Sequence, residues 1–98
     1  MNYFIEKGID KDTVNSIYEN YSEEELKELE YNRSNVVEVY RFFKNIGITE
    51  ENIKELFLVD LETFYMNYRE IKSKMEVYDL DKYIELLNDN IELIYKAL

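Results

Sequence analysis

The apolar residues of this chain recur at intervals of three and four. Val14, Ile17, Tyr18 and Tyr21 do so, as do Leu26 with Leu29, Val36 with Val39/Tyr40, Phe43 and Ile46, Ile53 with Leu56 and Phe57, Ile71 with Met75 and Tyr78, and Tyr83, Ile84 and Leu87. Such intervals place each group on one face of an α-helix. No stretch sustains the two-residue alternation of a half-buried strand, so the pattern predicts an all-α chain.

The polar residues between these groups read as helix punctuation. Gly8 and Gly47 are the only glycines, and each follows an apolar stretch, as a left-handed C-terminal cap would. Tyr3-Phe4-Ile5 then reads as the tail of a short first helix. Asp10 is a good N-cap, and Ser22 with Glu25 forms a capping box. Asn32-Arg33-Ser34-Asn35 predicts a break in what could otherwise be one helix from Glu23 to Ile46, because Asn and Ser compete for backbone hydrogen bonds. Thr49, Asn67 with Glu70, Asp79, and Asp89 with Glu92 start later helices, the last carrying Leu93, Ile94 and Leu98. Asp60 is placed to cap a single turn, Leu61 to Tyr65.

The chain also nearly repeats itself. Glu38-Val39-Tyr40 returns 38 positions on as Glu76-Val77-Tyr78, and Lys44, Ile46, Asn52-Ile53, Leu56 and Phe57 return as Lys82, Ile84, Asn90-Ile91, Ile94 and Tyr95. A fainter copy lies 39 positions upstream, where Phe4, Gly8, Ile9, Val14, Ile17 and Tyr18 match Phe43, Gly47, Ile48, Ile53, Leu56 and Phe57. Such a period predicts a short right-handed stack of helical hairpins, about two and a half repeats of 38–39 residues in one domain over 1–98. Tyr40/Tyr78 and Phe57/Tyr95 then fall in the core. Ile91, Leu93, Ile94, Tyr95 and Leu98 form an apolar C-terminal edge, to be covered by the N-terminal helix or by a second copy in a homodimer.

Leu56-x-x-x-Asp60-Leu61-x-x-Phe64, Leu86-x-x-x-Asn90-Ile91-x-x-Ile94 and Ile46-Gly47-Ile48 together resemble the helical repeat of the mitochondrial transcription termination factor (mTERF) family. That repeat has proline where this chain has Asp60 and Asn90. The resemblance implies a stacked helical architecture and, in the family's manner, a basic groove for double-stranded DNA.

Composition narrows the chemistry. The chain has no histidine, cysteine or proline, so it has no disulfide, no thiolate metal site and no imidazole base. Two isolated glycines cannot make a phosphate loop. Asp79-x-Asp81 with Glu85 fails the calcium-loop pattern, because Ile84 stands where glycine is required. The expectation is a non-enzyme with no metal and no cofactor. The apolar runs are short of a membrane span, and the N-terminus lacks a signal-peptide layout, so a cytoplasmic protein is expected. The excess of Lys, Asn and Ile over Arg, Gln and Ala fits an AT-rich bacterial or phage genome.

Charge sets the expected partner. Twenty-two acidic against 12 basic residues leave a net charge of −10, which repels phosphate backbones and anionic membranes and attracts basic surfaces. Glu19, Glu23, Glu24, Glu25, Glu28 and Glu30 form the densest acidic cluster; two more run from Glu50 to Glu62 and from Asp79 to Glu92. Glutamates in first helical turns are also what the helix dipole favours. Tyr21, Tyr31, Tyr65 and Tyr68, near predicted helix ends, are candidates for an exposed interface. The expectation is a small acidic protein-binding module, of the kind that as a phage or anti-defence inhibitor covers a basic surface. A nucleic-acid-binding module using Arg33, Arg41, Lys44, Arg69 and Lys72 is the alternative; a structural homo-oligomer is the other.

Overall fold

Asp10, Ser22, Thr49 and Asn67 each begin a helix in the structure, a computed structural model that describes residues 2–98. The α-helices are α1 (Tyr3–Glu6), α2 (Lys11–Asn20), α3 (Glu23–Tyr31), α4 (Arg33–Ile46), α5 (Glu50–Val59), α6 (Tyr68–Met75) and α7 (Leu80–Asp89). A first 3-10 helix, Glu62–Tyr65, follows α5, and a second, Ile91–Lys96, follows α7. Among the described residues there is no strand, so the chain is all-α. No described helix is long and apolar enough to cross a membrane.

Side chains make several of the predicted caps, though Asp79 begins α7 without a side-chain cap bond. The Asp10 carboxylate accepts from the backbone N–H of Asp12 and Thr13, at 3.1 and 3.2 Å. The Ser22–Glu25 box is complete, each side chain accepting the other's backbone N–H. The break between α3 and α4 falls at Asn32, whose Nδ2 donates to the Glu28 carbonyl at 2.8 Å.

The 39-residue spacing is realised in three dimensions. Gly8 ends α1 and Gly47 ends α4, with φ of 98° and 103°. Ile9 N–H donates to the Phe4 carbonyl and Ile48 N–H to the Phe43 carbonyl, both at 3.0 Å. Gly8 and Gly47 close the inner bond to Ile5 and Lys44, completing two Schellman motifs. Phe4/Phe43, Ile9/Ile48, Val14/Ile53 and Ile17/Leu56 are all buried, and α2 packs beside α5. Only the last pair diverges: Phe57 is buried and Tyr18 lies at the surface.

The 38-residue spacing is not a structural repeat, which corrects the expected stack. Glu38-Val39-Tyr40 lies inside α4, with Val39 and Tyr40 buried. Glu76-Val77-Tyr78 lies in the turn between α6 and α7, with Val77 78% and Tyr78 43% exposed. The cause is local: α6 stops at Met75, and Asp79 takes the extended conformation of an N-cap, so the helix cannot run on. Tyr95 is likewise 37% exposed where Phe57 is buried. The last helix is a 3-10 segment capped by Asn90, not an α-helix begun at Asp89. The C-terminal edge is covered by the chain's own α5 and α7 rather than by the N-terminal helix, and Ile91 and Ile94 are fully buried.

A third internal relation runs between Asp60 and Asn90. Each is the extended residue that ends an α-helix, with N–H donated four residues back to Leu56 and Leu86, at 3.0 and 2.9 Å. Each side chain then accepts the N–H two residues on, from Glu62 at 2.9 Å and Glu92 at 3.2 Å. A 3-10 turn follows in both places and buries Leu61 and Phe64 or Ile91 and Ile94. Phe64 is thereby set into the core. Its ring stacks on Phe57, centroids 3.6 Å apart, and meets Phe43 edge-on at 5.7 Å.

Candidate functional site

The paired helices α2 and α5 end alike. Tyr21 and Asp60, 39 positions apart, are their C-terminal caps, both extended, with N–H groups donated to Ile17 and Leu56. The chain then enters α3 in one case and the first 3-10 helix in the other. Between these exits lies a cleft of about 190 Å³. Tyr21, Glu25 and Glu28 line one side; Val59, Asp60, Leu61, Glu62 and Tyr65 line the other.

The cleft is held by its own polar groups. The Tyr21 hydroxyl donates to the Phe57 carbonyl and so fastens the end of α2 to α5. Glu25 is oriented by the capping box and Asp60 by the Glu62 N–H. The Tyr65 hydroxyl oxygen is buried and has no hydrogen-bond partner among the described residues. Burial pushes the Tyr65 hydroxyl up to about 12, with the charges of Glu28 and Glu25 and of Asp60 adding to it. Tyr21 is raised as well, by burial first and then by Glu25 and Asp60.

Four carboxylates border this cleft, and among the described residues no lysine or arginine pairs with any of them. The ion pairs lie elsewhere: Lys44–Glu50 at 3.5 Å, Lys72–Glu76 at 3.9 Å and Lys74–Glu70 at 3.5 Å. An uncompensated set of like charges along a low-dielectric wall concentrates negative potential. Its apolar members, Val59 and Leu61, and its two tyrosines suit the aliphatic stem of a lysine or arginine, whose head would meet the carboxylates. Among the described residues no group of three or more acidic side chains converges so as to hold a metal ion.

The structure gathers some of the predicted interface and disperses the rest. Glu25, Glu28, Tyr21 and Tyr65 share the cleft. Glu23 and Glu24 lie exposed in the first turn of α3, and Glu19 lies exposed on α2. Glu30 instead accepts a hydrogen bond from Tyr18 at 2.8 Å. Tyr31 is 90% exposed at the end of α3. Tyr68 stands away from the cleft, against Phe42 at 6.0 Å between ring centroids. Asp60 and Glu62, read from sequence as part of a separate cluster, complete the cleft; the 39-residue spacing that pairs Tyr21 with Asp60 was the signal for them.

The predicted cations fare differently from one another. Arg33 packs over the Tyr3 ring at 4.6 Å and Arg69 over Tyr68 at 5.4 Å. Arg41 donates to the Lys7 carbonyl at 2.9 Å. Lys44 and Lys72 lie within ion-pair distance of Glu50 and Glu76, at 3.5 and 3.9 Å. Arg33 opens α4 whereas Lys72 lies within α6, so their 39-residue separation is not structural equivalence. Compared with protein-family profiles, with curated proteins and with solved structures, the chain matches none of them.

Proposed function

We propose that this protein is a non-catalytic binding module whose acidic cleft and neighbouring α3 face take a basic surface of another protein. The observation that carries the reading is the cleft with four carboxylates, Glu25, Glu28, Asp60 and Glu62, that form no ion pair among the described residues, beside two tyrosines and two aliphatic side chains. Glu23, Glu24 and the exposed Tyr31 extend it along α3. Such a surface steers a cationic partner by its field and holds it by a few desolvated contacts. A partner whose basic surface ordinarily grips nucleic acid would be blocked by it, which makes the protein an inhibitor of the phage or anti-defence type acting in the cytoplasm.

A direct test is binding of a fluorescent lysine- and arginine-rich peptide, followed by anisotropy across a salt series. Binding that weakens with salt and is lost when Glu25, Glu28, Asp60 and Glu62 are all changed to lysine supports the reading. Unchanged affinity in that variant rejects it.

The second reading is an mTERF-like nucleic-acid module using Arg33, Arg41, Lys44, Arg69 and Lys72. Its support is that none of the three arginines pairs with a carboxylate among the described residues. The pairing of Lys44 and Lys72 and the net charge of −10 count against it. A gel shift at about 50 mM salt, where phosphate contacts are strong, decides it.

A further inference from the structure

Helices α2, α5 and α7 are built alike. Each is ten residues long, and each ends on an extended residue, Tyr21, Asp60 or Asn90, whose N–H donates to the carbonyl four residues back. The three acceptors, Ile17, Leu56 and Leu86, therefore hold one structural position. Ile17 and Leu56 are buried, whereas Leu86 is 54% exposed. Placement in the fold is the cause. α5 lies among α2, α4 and the second 3-10 helix, while α7 packs chiefly against that 3-10 helix alone.

The open side of α7 forms a face of its own. Lys82, Glu85, Leu86 and Asp89 recur at three- and four-residue intervals, are all exposed, and line one groove. Lys82 stands in the first turn and Asp89 in the last, each the sign that the helix dipole disfavours there. Neither forms an ion pair among the described residues.

We infer that this face is an interface between two copies of the chain, in which α7 of one lies antiparallel on α7 of the other. The fold itself supplies the precedent, since the equivalent helices α2 and α5 already pack side by side. Of the three helices only α7 leaves the shared position open, so the helix of this kind that is free to pair with it is the α7 of a second chain. A twofold axis between Glu85 and Leu86 brings the two leucines together at the centre. The same axis sets Lys82 of each copy opposite Asp89 of the other, because both lie equally far from it. Each charge then sits against a helix end of the sign it prefers. Glu85 lies beside the axis and opposes its own copy, and each chain carries a net charge of −10. The pairing is therefore weak, held by apolar contact, with the exposed ion pairs setting the register more than the strength.

The test is sedimentation equilibrium of the full chain from about 10 μM to about 1 mM. A monomer–dimer equilibrium should appear and should tighten from about 50 to about 500 mM salt, as repulsion between the copies is screened. Leu86→Gln, with unchanged helical circular dichroism, should weaken it by about tenfold or more, since two leucines lose apolar contact in each dimer. Glu85→Gln should tighten it. Lys82→Glu should weaken it, and adding Asp89→Lys should restore it, whereas adding Glu19→Lys, which makes the same change in net charge far from the face, should not. A monomer throughout, full affinity in Leu86→Gln, or equal rescue by Glu19→Lys overturns the inference. No residue of this face lines the acidic cleft, and salt moves the two interactions in opposite directions, so either can fail without the other.

Discussion

The Thr13 hydroxyl, buried on α2, donates to Glu50 Oε2 at 2.9 Å across to the first turn of α5. The same carboxylate accepts from the Tyr40 hydroxyl on α4, and Lys44 Nζ lies 3.5 Å from it. One half-buried glutamate thus joins three helices. Glu50→Ala should destabilise the fold by about 2–3 kcal/mol in urea unfolding, because two hydroxyls lose their acceptor. Thr13→Val should cost less in that background than alone, and simple additivity would deny the coupling.

Asn88, near the end of α7, clamps the turn between α4 and α5. Its Oδ1 accepts the Thr49 N–H and its Nδ2 donates to the Gly47 carbonyl, both at 3.0 Å, while Asn52 Nδ2 reaches its backbone carbonyl at 3.0 Å. Asn88→Ala should cost about 1–2 kcal/mol and speed hydrogen exchange of the Thr49 amide. Unchanged exchange at Thr49 would contradict the clamp.

Gly47 has φ of 103°, and a Cβ there would meet only Ile84 Cγ2 at 3.6 Å, an ordinary contact. Gly47→Ala should therefore cost about 1–2 kcal/mol from backbone conformation alone. Gly47→Asn should cost less, since Asn tolerates the left-handed region better. Equal losses in the two variants would point to crowding instead.

Tyr40 and Tyr65 hold their protons more tightly in the folded chain, chiefly because burial disfavours the phenolate. Their contribution to stability is complete below the ordinary tyrosine value of 10.0 and is lost as pH rises through their folded values, about 12 for Tyr65. In that window the unfolded chain has released protons that the folded chain keeps, so stability falls. Denaturant midpoints should be flat from pH 8 to 9 and fall steeply above about 10. Tyr65→Phe should soften the fall.

The carboxylates of the cleft should trade stability for binding. Glu28→Lys and Glu62→Lys should each raise Tm at low ionic strength, with a gain that shrinks as salt is added. Each should also weaken capture of a basic peptide. A variant that loses both stability and binding would instead mark its glutamate as structural.

Short-range features were legible because short-range physics fixes them. Asp10, the Ser22–Glu25 box, Thr49 and Asn67 each satisfy an N–H within two or three residues, so their geometry follows from local spacing. Gly8 and Gly47 are the residues that enter the left-handed region without strain, and both helices end there. The cleft was half legible: Glu25, Glu28, Tyr21 and Tyr65 stood out as charge and aromatic content, but their meeting with Asp60 and Glu62 depends on α2 lying beside α5.

The amino-acid order by itself determined the helical class, most helix ends, the acid excess and the twin Gly-capped units. Tertiary packing decided which apolar residues are core. Val77 and Tyr78 have the same letters as Val39 and Tyr40 yet face water, because burial depends on what lies opposite and α6 ends before it can present them. It also decided that the final apolar spacing becomes a 3-10 turn sealed by α5 and α7, since intervals of three and four serve either helix and only the surrounding shape chooses between them.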